Sequence, residues 1–245
     1  MRIAVTSTPR SGNTWVRGVL RDALDLEELA VHNYLDLPDV LPERVVLQIH
    51  WYREPNFQKF LRDNDFRIVV LGRHPLDVLL SVLHYVRHEP LTTRWLEGNV
   101  ELPDDFSAET PYSEGFRTYA TSWGAENLLS ISYQWWLDRD AVRVRYEDLV
   151  HDPRAVFSGL IQQLRGNAGK LDQVIASHPL SLYKATPNRQ GWQGMPGLWR
   201  QLILPSCARQ ISHRHESVFR TLGYRLRPYI LTRKQAERNW IRLAD

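Results

Sequence analysis

The feature that most constrains this chain is the junction near its start. A short β-rich run at residues 2–8, carrying Ile3, Val5 and Thr6, meets Pro9-Arg10-Ser11-Gly12, and apolar residues then recur at helical spacing from Trp15 to Ala23. Strand, tight loop and helix in that order leave the unpaired N–H groups of a first helical turn at a strand end, where they attract anions. Arg10, Ser11, Gly12, Asn13 and Thr14 add a cation, a flexible backbone and hydroxyls to that position, which suits a phosphate-sized anion. The nucleoside-triphosphate loop reads G-x-x-x-x-G-K-[ST], and its spacing is missing here, so ATP or GTP hydrolysis is disfavoured. Read alone, the same residues also describe an ordinary helix start capped by Ser11 or Asn13.

The pattern recurs downstream. Val45–Ile49 reads as a strand ending at His50, and Phe66–Leu71 as a strand ending at Gly72-Arg73, after which Pro75 opens a Leu- and Val-rich helix. A fourth strand is expected at Ala141–Arg145, after a long amphipathic stretch from about Phe116 to Leu137, with a helix beyond Pro153. Strands alternating with helices predict an α/β fold, with a central, mostly parallel sheet covered by helices and ligands bound beyond the strand C-termini. With 245 residues, 43% of them hydrophobic, the chain can bury one sizeable core, and residues 1–245 read as a single domain. Residues 89–115 lack sustained periodicity and read as an insertion near the site. Lys184 to Leu198 reads as loop, helices resume after Pro205 and after Thr232, and residues 225–245 form a C-terminal extension.

Arg73 at a strand end and Ser81 in the second turn of the following helix can converge on one anion. Each alone also fits a bland setting, with Arg73 paired to Asp77 and Ser81 on a polar helix face. The net charge of +3 permits an anionic ligand, but Lys and Arg are spread along the chain, which argues against a nucleic-acid partner. A single Cys207 and the lack of a long apolar run predict a reducing, cytoplasmic setting with no membrane span. His84 and His88 lack the Glu of H-E-x-x-H, and His213 and His215 offer no zinc pattern, so no metal is expected. Tyr133, Trp135 and Trp136 read as core, and Arg225, Arg227, Arg233, Arg238 and Arg242 as a solvated face.

Taken together, Pro9–Trp15 and Arg73–Ser81 resemble the two signatures of the sulfotransferases that use 3′-phosphoadenosine 5′-phosphosulfate (PAPS), a P-K-S-G-T-T-W-like loop and an R-x-P-x-D-x-x-x-S segment. The order of landmarks agrees: His50 follows a strand between them, Tyr146-Glu147-Asp148-Leu149 resembles the family's Y-E-D-L, and Gly194-Met195-Pro196-Gly197-Leu198-Trp199-Arg200 resembles its late G-x-x-G-x-W-K. The resemblance spans roughly residues 2–200 and implies the sulfotransferase variant of the P-loop nucleotide-kinase fold.

By that resemblance, Arg10, Ser11, Gly12, Asn13 and Thr14 would hold the 5′-phosphosulfate and Trp15 would stack on adenine. Arg73 and Ser81 would bind the 3′-phosphate, Tyr146 would frame the purine, and His50 would be the general base, acting on a small-molecule or glycan acceptor. Arg10 stands where many members have Lys and would stabilise the leaving phosphate. Two departures matter. The family's Arg-Lys pair before the late glycine is here Trp192-Gln193, so Gln193, Gly194 and the nearby Arg189 would have to serve the 3′-phosphate. Where some members carry a lysine two residues before the histidine, this chain has Gln48. Acids Glu97, Glu101, Asp104, Asp105, Glu109 and Glu114 disfavour polyanionic acceptors, while the oligomeric state is open. A phosphoryl-transfer enzyme of the same fold, or a protein that keeps the PAPS pocket without catalysis, are the alternatives.

Overall fold

The computed structural model describes residues 1–184, 186 and 189–244; Ala185, Pro187 and Asn188 of the expected loop, and Asp245, lie outside them. Five strands, β1 (Arg2–Thr6), β2 (Glu27–Val31), β3 (Val45–Ile49), β4 (Phe66–Gly72) and β5 (Val142–Arg145), form one all-parallel sheet of order β2-β3-β1-β4-β5. The helices that cross between them include α1 (Asn13–Leu24), α2 (Pro55–Asp63), α3 (Pro75–Tyr85), α4 (Glu114–Ala120) and α5 (Trp123–Trp136). After β5 follow α6 (Tyr146–His151), α7 (Pro153–Gln163), α8 (Leu171–Ser177), α9 (Trp199–Leu202), α10 (Pro205–Arg214), α11 (Glu216–Thr221) and α12 (Arg233–Leu243).

Strand alternation divides the core into two layers. Ile3 and Val5 face α1 and α7, packing with Trp15, Val19 and Phe157, whereas Ala4 faces the opposite layer with Phe57, Leu79 and Trp135. Because the chain moves from β1 out to β2, returns to β3 and then crosses β1 to reach β4, the connections diverge on either side of β1. That divergence opens a crevice at the C-terminal ends of β1, β3 and β4.

Three sequence expectations need refinement. β2 was not foreseen: its Glu27-Glu28-Leu29-Ala30-Val31 lies at the sheet edge with both glutamates exposed, so burial imposes no alternation on it. The amphipathic stretch from Phe116 to Leu137 is two helices, because Ser113 and Ser122 cap separate N-termini through Phe116 N (3.2 Å) and Ala125 N (3.3 Å). The 89–115 segment is irregular apart from short 3₁₀ turns, yet it is anchored in the core by Trp95, Leu96 and Phe106. The five tail arginines at 225, 227, 233, 238 and 242 are exposed, while Ala236 and Trp240 of α12 are buried. Among the described residues no helix is long and apolar enough to cross a membrane.

Candidate active site

The loop after β1 is held by β4, α5 and its own Asn13. Ser7 Oγ accepts from Leu71 N (2.6 Å), and Thr8 N donates to Ser132 Oγ (2.8 Å), which itself donates to Leu71 O (2.7 Å). Asn13 Nδ2 donates back to Thr8 O at 3.0 Å. The turn needs left-handed backbone at Arg10 (φ 68°) and Gly12 (φ 98°), and at Gly12 a Cβ would lie 2.7 Å from Tyr146 Cδ2. Gly12 is also the residue preceding α1, and no side chain caps the helix, so the capping alternative for Ser11 or Asn13 is not what forms. The uncapped N-terminus opens on a cavity of about 370 Å³.

Most of the residues expected from sequence meet around this cavity. Arg10, Gly12, Asn13, Thr14 and Trp15 line it from the loop and α1; His50, Arg73, Ser81, Tyr146 and Gly194 line it from the strand ends, α3, α6 and the late segment. Ser11 is buried behind the loop, and Gln193 also stays out of the lining.

The two cationic strand-end loops interlock. Arg73 Nη1 donates to Arg10 O (2.7 Å); Arg10 Nε donates to Ser81 Oγ (3.1 Å) and its Nη2 to Gln190 O (2.7 Å). Each guanidinium rests on a phenol ring, Arg10 4.0 Å from the Tyr85 centroid and Arg73 4.4 Å from that of Tyr146. Burial above all, opposed by Tyr85 and reinforced by Arg73, pushes Arg10 down to about 10. Buried Arg73 Nε, Asn13 Oδ1 and Trp15 Nε1 have no hydrogen-bond partner among the described residues, an unmet demand that a polar ligand would satisfy. Trp15 belongs to both readings, since it packs edge-on to Phe157 (5.6 Å) while lining the cavity.

His50 stands at the end of β3 with Nδ1 2.7 Å from Ser7 O. A carbonyl only accepts, so Nδ1 carries the proton and Nε2 keeps its lone pair. Burial holds the imidazole down to about 4, the Ser7 bond opposing and His32, Arg10 and Arg17 adding to the shift. At neutral pH His50 is therefore an uncharged base with its tautomer set by the backbone.

The late segment is positioned by groups whose role sequence reading missed. Asp77, 2% exposed, accepts from Gly197 N (2.6 Å) and Trp199 N (3.0 Å), so it holds the late glycine turn instead of forming a surface pair with Arg73. Glu147 accepts from His74 N (3.0 Å) and Tyr224 OH (2.6 Å), and Tyr146 OH donates to Gly194 O (2.9 Å). Gln193 departs from expectation. Its Nε2 donates to Leu243 O (3.1 Å), as does Trp192 Nε1 (2.6 Å), because the last carbonyls of α12 have no partner within the helix. Exposed Arg189 does not line the cavity either. A signal for Asp77 was present in its motif, but its partners are 120 and 122 residues away in sequence.

No family profile matches the chain, and no curated protein matches it by sequence. Solved structures do match. A mouse sulfotransferase, SULT7A1, complexed with PAP superposes with a TM-score of 0.66 at 18% identity, covering 89% of this chain and 84% of that one. Retinol dehydratase in a complex with retinol and PAP gives 0.57 at 16% identity over 93% and 84% of the two chains. The same enzyme with androsterone and inactive cofactor PAP gives 0.56 at 16% identity over 93% and 83%. An all-parallel sheet of this topology, matched over most of its length by these proteins, means that the chain has the sulfotransferase fold.

Proposed function

We propose that the protein transfers the sulfuryl group of PAPS to a hydroxyl or amine of a small-molecule or glycan acceptor. The observation that carries this reading is the contact between Arg10 and Arg73, which puts the two cationic loops at the ends of the adjacent strands β1 and β4 on one cavity beside a neutral histidine. PAPS supplies a sulfuryl group activated on a phosphate. The uncapped start of α1, with Thr14 and Arg10, faces the 5′ end of that donor; Arg73, Ser81 and Gly194 face its 3′-phosphate, and Trp15 and Tyr146 flank the purine.

The acceptor oxygen forms a bond to sulfur as the bond from sulfur to the 5′-phosphate oxygen breaks. His50 Nε2 takes the acceptor's proton, and Arg10 exchanges Ser81 and Gln190 for the phosphate oxygens on which charge develops. Arg10 keeps its proton throughout, so it stabilises charge and does not act as an acid. A reducing, cytoplasmic setting is part of this reading, since the single Cys207 has no second cysteine with which to form an internal disulfide.

Calorimetric titration with 3′-phosphoadenosine 5′-phosphate (PAP) and with AMP tests the donor assignment. PAP should bind wild type more tightly than AMP, and Arg73→Ala should lose about 10- to 100-fold in PAP affinity, the value of a charge-assisted bond. Equal weak binding of both nucleotides to both proteins refutes the assignment.

A further inference from the structure

The cavity has a second polar end that the donor leaves unused. Arg17, one turn beyond Thr14 on α1, His32 just after β2, and Gln48 near the end of β3 all line it. They lie on the β2 side of β1, whereas Arg73 and Ser81 follow β4 on its other side, so the sheet order separates them from the 3′-phosphate end. They surround His50 instead: β2 pairs with β3 so that Val31 sits opposite Ile49, which brings His32 beside His50, and the charge of Arg17 is felt by the His50 ring.

These groups have unmet hydrogen-bonding capacity. Arg17 donates no hydrogen bond among the described residues, and its buried Nε has only an ion-pair contact, to Glu28 Oε2. Its ion-pair contact with Glu28 is 3.5 Å, and that carboxylate, 40% exposed, is shared with Arg21 at 3.2 Å. A guanidinium with a side chain only 16% exposed gains little from so solvated a counter-ion. His32 Nδ1 and Gln48 Oε1 are buried without a hydrogen-bond partner. Apolar Leu91 and Trp95 line the same cavity, the Trp95 ring 6.4 Å from that of His50. Tyr183 also lines the cavity, held by His178 (2.9 Å), whose other nitrogen meets Asp22 (2.6 Å).

We propose, resting on the sulfuryl-transfer reading, that Arg17 and His32 form an anion subsite for the acceptor, with Gln48 beside it, and that the acceptor's class is a hydroxylated compound with an apolar or aromatic body and one carboxylate. Arg17 and His32 donate to the carboxylate, Leu91 and Trp95 flank the body, and Gln48 and His50 meet the hydroxyl. Glu28 beside Arg17, and Glu97 bonded to Asn33 next to His32, put negative charge around this end, which limits the acceptor to a single anionic group.

The test uses protein saturated with PAP, titrated with 4-hydroxybenzoate and its neutral counterpart 4-hydroxybenzamide. Wild type should bind the acid about tenfold more tightly than the amide. Arg17→Gln should erase that preference while PAP affinity stays within about threefold, and Arg17→Lys should retain part of it. Should R17Q melt early, His32→Ala is the second variant, with a loss of about three- to tenfold for the acid alone. Equal affinity for acid and amide, binding of neither, or a loss of PAP affinity in R17Q matching that of Arg73→Ala would each overturn the subsite. Failure of wild type to bind PAP would overturn the donor reading itself, and this proposal with it.

Discussion

Two glycine-to-alanine exchanges should have opposite signs. At Gly12 the backbone is left-handed (φ 98°), where an L-residue costs roughly 1–2 kcal/mol, and the new Cβ would stand 2.7 Å from Tyr146 Cδ2. The ring has little room to retreat. It is 4% exposed, bonded through its hydroxyl to Gly194 O (2.9 Å) and covered by the Arg73 guanidinium (4.4 Å). Displacing it forfeits a hydrogen bond worth about 1 kcal/mol, so Gly12→Ala should cost about 2–3 kcal/mol in all. Gly159 lies inside α7 with nothing within 4 Å of its added Cβ, so Gly159→Ala should stabilise the protein by about 0.5–1 kcal/mol through helix propensity. Urea unfolding at constant m-value reads both, and PAP titration should show weaker binding only for Gly12→Ala, because Tyr146 carries Arg73 with it. A Gly12→Ala protein within about 0.5 kcal/mol of wild type and with full PAP affinity would refute the claim that this contact sets the donor site.

Three further outcomes follow. His50→Ala should keep PAP binding and lose transfer by about 10²-fold or more in single-turnover assays with PAPS; unchanged turnover removes His50 from the mechanism. Burial holds His74 and His84 down to about 3 and His50 to about 4, against 6.5 when unfolded, so the unfolded chain takes up protons first and stability is lost as pH falls below about 6.5. Each histidine costs roughly 2 kcal/mol by pH 5, while Asp77, raised to about 6 by burial, returns part of this on neutralising; urea midpoints flat from pH 7.5 to 5 would contradict the sign. Trp240→Ala should cost about 3–5 kcal/mol and also weaken PAP binding, since Trp240 supports Trp192 edge-on at 5.9 Å; full PAP affinity in the variant would uncouple α12 from the site.

What could be read from sequence was what burial makes periodic. β1, β3 and β4 are enclosed between two helical layers, so their apolar runs are nearly continuous, whereas the half-exposed edge strand β2 looks like a charged loop. Thr121 ends one helix and Ser122 caps the start of the next with no break in apolar composition, which periodicity alone does not register. At the site, Arg10, Arg73 and His50 were legible through motif resemblance and strand ends. The fate of Gln193 was not, because its partner is a helix-end carbonyl 50 residues away, outside the segment the resemblance covers. Arg17 and His32 carried no motif at all; they matter because α1 and β2 bring them to the same rim as His50.

If the cavity takes PAPS as proposed, the missing Arg-Lys pair shifts how its 3′-phosphate end would have to work. With Trp192 and Gln193 in those places, charge at that end falls mainly on Arg73, and one guanidinium gives a large return only when it is already aimed. The surroundings provide that aim. Arg73 is held by the Arg10 carbonyl and the Tyr146 face, Tyr146 by Gly194, the glycine turn by Asp77, and Trp192 by the carbonyl of Leu243 together with the stacked ring of His84 (4.6 Å). On the sulfuryl-transfer reading, Trp192 and Gln193 would contribute position where the family that the motifs resemble contributes charge. Donor affinity in such a site would depend on residues that never touch it, with the C-terminal helix, on which sequence resemblance is silent, holding Trp192 and Gln193 through the Leu243 carbonyl.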